Sequence, residues 1–176
     1  REAGSLVAAI GGVLFILTIF ATVVLHELGH ALTARRFGIR TKDITLLPIG
    51  GIARLERMPD VPRHELWVAL AGPAVNLALA AIVYGISILA GTHPMLALPT
   101  ASQGTIDGFM AINVWLAVFN LIPAFPMDGG RALRALLAER TDYVRATRIA
   151  ASIGQGVALI FGIIGYLLRK LDFPMA

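Results

Sequence analysis

The run Leu6-Val7-Ala8-Ala9-Ile10-Gly11-Gly12-Val13-Leu14-Phe15-Ile16-Leu17-Thr18-Ile19-Phe20-Ala21-Thr22-Val23-Val24-Leu25 leads directly into His26-Glu27-Leu28-Gly29-His30. No ionisable residue stands between Glu2 and His26. The run reaches about 20 residues, the length a helix needs to cross a hydrocarbon layer of roughly 30 Å. Working outward, three more charge-free stretches follow: Leu66 to Thr92 with Asn76 inside it, the interval from Asp107 to Asp128 with Asn113 and Asn120 inside it, and Ile149 to Leu168. This pattern predicts a mainly α, polytopic membrane protein with about four transmembrane helices.

Composition agrees. Of 176 residues, 57% are hydrophobic and 15% charged, against roughly 25% charged in soluble domains. Mean hydropathy is +0.76. A soluble domain of this size could not hide so much apolar surface, and a disordered chain would be charge-rich. There is no cysteine, which excludes a disulfide framework, a thiolate metal site and a cysteine nucleophile. Any metal must be held by His, Asp or Glu. The length predicts a single domain over residues 1–176. Because the chain opens at Arg1 and stops soon after its last apolar stretch, it is expected to be a piece of a longer protein.

The net charge of +4 reports topology, not nucleic-acid binding. Arg35, Arg36, Arg40, Lys42, Arg54, Arg57 and Arg63 all follow the first stretch, and Arg131, Arg134, Arg140, Arg145 and Arg148 follow the third. The connection from Gly91 to Gly104 has no lysine or arginine. By the positive-inside rule the first and third spans end in the cytoplasm. No aromatic residues interleave with these charges as a single-strand binder would require, so no nucleic-acid partner is expected. Between the first two spans, Ile39 to Leu47 and Ile52 to Leu55 flank Pro48-Ile49-Gly50-Gly51. That predicts two short extended segments around a turn, a small membrane-associated β element.

His26-Glu27-Leu28-Gly29-His30 is the pattern H-E-x-x-H. On a helix, positions i and i+4 share a face, so both imidazoles can point at one metal ion. Glu27 can lie beside a water that such an ion acidifies and take its proton as general base. Ionisable groups near the end of an apolar span cost about 2.5 kcal/mol or more each, so they mark function. A catalytic zinc usually has three protein ligands, and the third should lie at similar depth on another helix. Asp128 is the candidate. His26 and His30 precede Arg35 by roughly 13 and 7 Å of helix, and Asp128 stands just before Arg131. Pro123 and Pro126 each lack an N–H, so the third helix should break after about Asn120. Opened backbone at membrane depth is tolerated where it lines a wet cavity or is buried in protein, and Gly129 and Gly130 allow close backbone approach.

These residues resemble the site-2 protease family of intramembrane zinc metalloproteases. The match comprises His26-Glu27-Leu28-Gly29-His30, Pro48-Ile49-Gly50-Gly51-Ile52-Ala53, Ala71-Gly72-Pro73-Ala74-Val75-Asn76, and Asn120 through Gly130, and it extends from about Val23 to about Gly154. The resemblance implies one zinc ion per chain on His26, His30 and Asp128, with Glu27 as general base. It implies that Asn120 helps to position substrate or stabilise an oxyanion. It also implies that Gly50, Gly51, Ile52 and Ala53 belong to a strand that pairs with an unwound substrate, and that Asn76 contacts substrate or, alternatively, makes a helix–helix hydrogen bond. The expected substrate is a transmembrane segment of another protein. The expected location is the cell membrane, with the site toward the cytoplasmic side. The chain resembles the simpler branch that often bears paired CBS domains, and nothing in it resembles such a domain. A metal transporter or sensor using the same ligands is the alternative, and Glu27 separates the two, since transport has no use for a base there. Ala150 and Gly154 predict close helix packing, and Trp115 is expected to be packed within its span.

Overall fold

The computed structural model describes residues 2–47, 50–56, 59, 61–92 and 105–172. Pro48 and Ile49, of the expected turn, and residues 93–104 of the connection after the second span lie outside them. Helix α1 (Glu2–Arg36) carries the first apolar run and the His-Glu-His segment in one continuous piece of 35 residues. Strands β1 (Thr41–Leu47) and β2 (Gly50–Leu55) then pair antiparallel, with Leu47 opposite Gly50 and Thr45 opposite Ile52. Helices α2 (Pro62–Leu89), α3 (Thr105–Asn120), α4 (Asp128–Ala138) and α5 (Tyr143–Asp172) complete the chain.

Among the described residues, three helices are long and apolar enough to cross a membrane: Ile10–Arg36, Pro62–Leu89 and Tyr143–Lys170. The third charge-free stretch behaves differently. Its helix, α3, is 16 residues long, about 24 Å at 1.5 Å per residue. The remainder, through Met127, is a series of turns. Pro123 and Pro126 explain the break, because neither can donate to a helical carbonyl.

Burial follows an inverted pattern. Leu14, Leu17, Ile86, Leu89, Leu159, Ile160 and Tyr166 point outward, whereas the interior is built from small and polar residues. Ala34, Ala69, Ala111, Ala117, Ala135, Ala146 and Ala150 are fully buried, beside Thr22, His26, Glu65, Asn76 and Asn113. Small residues let helix backbones approach where no water drives association, and the large apolar side chains face outward where lipid solvates them. Trp115, expected inside, is 43% exposed and joins that outer surface. Ala150 and Gly154 do face a close neighbour. A Cβ on Gly154 would lie 3.0 Å from Ala124 Cα, so α5 packs on the proline-rich turn.

Helix α2 is the centre of the assembly. It packs against α1, α3 and α4, while α4 carries α5 and the hairpin rests against α1.

Candidate metal centre

Helix α1 presents His26 and His30 one turn apart on its buried face, with Glu27 beside them. Asp128 arrives from 98 positions beyond His30. It is the first residue of α4, directly after Met127 at the N-cap. It meets both rings. Asp128 Oδ2 lies 3.2 Å from His26 Nε2 and 3.0 Å from His30 Nε2, and the two Nε2 atoms are 3.1 Å apart. These three donor atoms form the group among the described residues that could hold a metal ion.

The outer nitrogens define the ring tautomers. His30 Nδ1 lies 2.6 Å from the Val68 carbonyl, which can only accept, so Nδ1 carries a proton. His26 Nδ1 donates to Asn76 Oδ1 at 3.2 Å. In the neutral rings both Nε2 lone pairs therefore point inward at each other and at a carboxylate oxygen. Three electron-rich atoms at this spacing repel unless a cation lies among them. Ligands about 2.0–2.1 Å from a tetrahedral zinc stand about 3.3 Å apart, which the observed edges approach. Histidine ligands usually donate their second N–H to an outer partner in just this way.

Two backbone approaches make the cluster possible. A Cβ on Gly72 of α2 would lie 2.6 Å from His26 Nε2 and would press on His30 Nε2 as well. Only glycine leaves the space that the inward-facing nitrogens border. At the other wall, a Cβ on Gly129 would strike the Leu121 and Ile122 carbonyls, and one on Gly130 would lie 2.7 Å from the Ala124 carbonyl carbon. Gly129 and Gly130 thus let α4 nest on the turn before it, which carries Asp128 inward. The donor set, the tautomers and the glycine-lined space fit a zinc ion. The other carboxylate oxygen, Asp128 Oδ1, faces Arg131 Nη1 at 3.7 Å.

The remaining expected residues are more distant or differently turned. Asn76 is fully buried behind the His26 ring, and its Nδ2 has no hydrogen-bond partner among the described residues. Asn120 ends α3, where its Nδ2 donates to the Leu116 carbonyl at 3.0 Å. Gly50, Gly51, Ile52 and Ala53 lie on β2, paired with β1. The Val68 carbonyl was not anticipated, since a backbone acceptor leaves no mark in sequence. Glu65 was not anticipated either, although it is fully buried.

Helices with outward apolar faces around a buried His–His–Asp centre define a membrane-embedded metalloprotein with the ligand set of a metallohydrolase. The chain belongs to Peptidase family M50, whose sequence pattern matches residues 14–110 and 101–161. It is 42% identical over 163 residues to a zinc metalloprotease of Methanocaldococcus jannaschii, covering 90% of this chain and 44% of that protein. It is 29% identical over 148 residues to the stage IV sporulation protein FB of Bacillus subtilis, covering 84% of this chain and 48% of that one. The chain therefore spans less than half the length of these curated relatives. Among solved structures it resembles the site-2 protease from Methanocaldococcus jannaschii, with a TM-score of 0.67 and 37% identity over 89% of this chain and 68% of the other.

Proposed function

We propose that residues 1–176 form a single transmembrane core domain of a zinc endopeptidase that cleaves transmembrane segments of other proteins. The observation that carries this reading is the convergence of His26, His30 and Asp128 beside buried Glu27, within a body whose outer surface is apolar. Zinc bound to those three residues would polarise a scissile carbonyl and acidify water. The chain's own groups do the rest. His26 and His30, held by Asn76 and the Val68 carbonyl, keep their Nε2 atoms fixed on the site. Glu27 accepts a proton from the attacking water and returns it to the leaving amide nitrogen.

In this reading α3 and the turns after it make up a fourth crossing, and α1 and α3 end on the cytoplasmic side, where the basic residues gather. Water reaches the site through the opened backbone between Asn120 and Asp128. The β hairpin lies on the membrane surface. A helical substrate hides its amides and must unwind, and the second edge of β2 over Gly50, Gly51, Ile52 and Ala53 offers hydrogen bonds to the extended form. Asn120 helps to position that segment, a role that rests on the family resemblance. Asn76 acts on the substrate only indirectly, through the His26 ring.

The test is Glu27→Gln. The variant is expected to retain one zinc per chain and to lose cleavage of a membrane-embedded peptide. Cleavage at the wild-type rate would overturn the assignment, and zinc-dependent metal flux without cleavage in the wild type would favour a transporter.

A further inference from the structure

Helix α2 supplies no metal donor, yet the donors are registered against it. Asn76 accepts a hydrogen bond from His26 and the Val68 carbonyl one from His30, and Gly72 admits both rings. Glu65 stands on the same face, since Glu65, Val68, Gly72 and Asn76 follow one another at helical spacings of three or four. Its carboxylate receives Arg134 Nε at 3.1 Å and Arg134 Nη2, and the Tyr143 hydroxyl donates to its second oxygen at 3.1 Å. Glu65 is fully buried and Arg134 nearly so, at 8% exposure. The guanidinium also lies 5.3 Å from the Phe125 ring and 5.0 Å from the Tyr143 ring. Arg134 therefore joins α2, the start of α5 and the turn before Asp128, all from within the 11-residue α4.

We infer that Glu65 and Arg134 are positioning residues of the metal centre: their buried pair sets α4 on α2 in the register that brings the Asp128 carboxylate onto the two imidazoles. This rests on the reading that the cluster holds zinc. A buried ion pair contributes little net stability, because desolvation offsets its attraction, and its best-attested use is to fix register. A second link, between α2 and the residue that caps the end of α4, provides a contrast. Arg63 Nε meets Glu139 Oε1 at 3.0 Å, but the Arg63 side chain is 78% exposed, and such pairs contribute about 0–1 kcal/mol.

The experiment measures zinc affinity by chelator competition, alongside thermal stability, on the chain in lipid nanodiscs. Glu65→Met combined with Arg134→Met replaces the pair by apolar side chains of similar reach, which is often neutral for stability. The double variant is expected to melt near the wild type and to bind zinc about 10-fold or more weakly, as loss of outer partners does at metal sites. Arg63→Met combined with Glu139→Gln is expected to bind as the wild type does. Arg134→Lys keeps the charge but loses the two-pronged geometry, and it should fold with an intermediate affinity. Wild-type zinc affinity in the double methionine variant would overturn the inference and leave the zinc reading standing. If the double variant does not fold, wild-type affinity in Arg134→Lys overturns it equally. Failure of the wild type to bind zinc would instead remove the reading on which the inference rests.

Discussion

Gly72→Ala probes the site with one carbon atom. The added Cβ would stand 2.6 Å from His26 Nε2, against 3.4 Å or more for ordinary contact. The deficit is about 0.8 Å at His26 and larger at His30 Nε2, and metal–ligand distances tolerate only about ±0.2 Å. Either one ring turns out of the cluster or α2 retreats from α1. Overpacking of this kind costs roughly 1–3 kcal/mol, so zinc affinity should fall by about 5- to 150-fold if the strain is relieved at the rings. Competition against a chromogenic chelator reads the change. The control is Gly85→Ala on the same helix, where an added Cβ meets nothing within 4 Å. There alanine should leave zinc binding alone and stabilise the helix by up to about 1 kcal/mol. Unchanged zinc affinity in Gly72→Ala would refute the reasoning, because the space that glycine leaves would then not border the ion.

The other predictions concern the outer partner and the surrounding solvent. Asn76→Ala should weaken zinc binding by about 10-fold or more while leaving KM at saturating zinc nearly unchanged. A raised KM with normal zinc affinity would return Asn76 to direct substrate contact. Leu159→Lys, at a position 66% exposed in the middle of α5, should impair membrane insertion, since lysine at a span centre costs about 2.5–3.5 kcal/mol. A glycosylation-reporter assay measures this. Insertion equal to the wild type would place α5 outside the hydrocarbon layer, because at a water-exposed position the change would matter by only about 0.5 kcal/mol.

The sequence made the helical apolar body legible because lipid removes the usual ambiguity: a long charge-free run at membrane length has few other uses. The meeting of His26 and His30 was legible from their spacing, and that of Asp128 with them from its depth relative to Arg131. The prolines foretold that the third helix would break. They did not foretell that the helix Asp128 opens, α4, would nest on its own approach through Gly129 and Gly130. The partners behind the metal ligands were the least visible. The Val68 carbonyl is backbone, and the choice open for Asn76 needed the position of the His26 ring. Glu65 carries no local signal, because its partner, Arg134, lies 69 positions away. Long-range pairing of this kind leaves no local pattern. Trp115 shows the converse, since in lipid a mid-span aromatic has no reason to be inside.

Anomalous diffraction at the zinc edge, on crystals of the wild-type chain grown with stoichiometric zinc, addresses the central claim most directly. The account predicts one strong peak about 2.0–2.2 Å from His26 Nε2, His30 Nε2 and an Asp128 carboxylate oxygen. A peak elsewhere, or no peak between those three side chains, would contradict it.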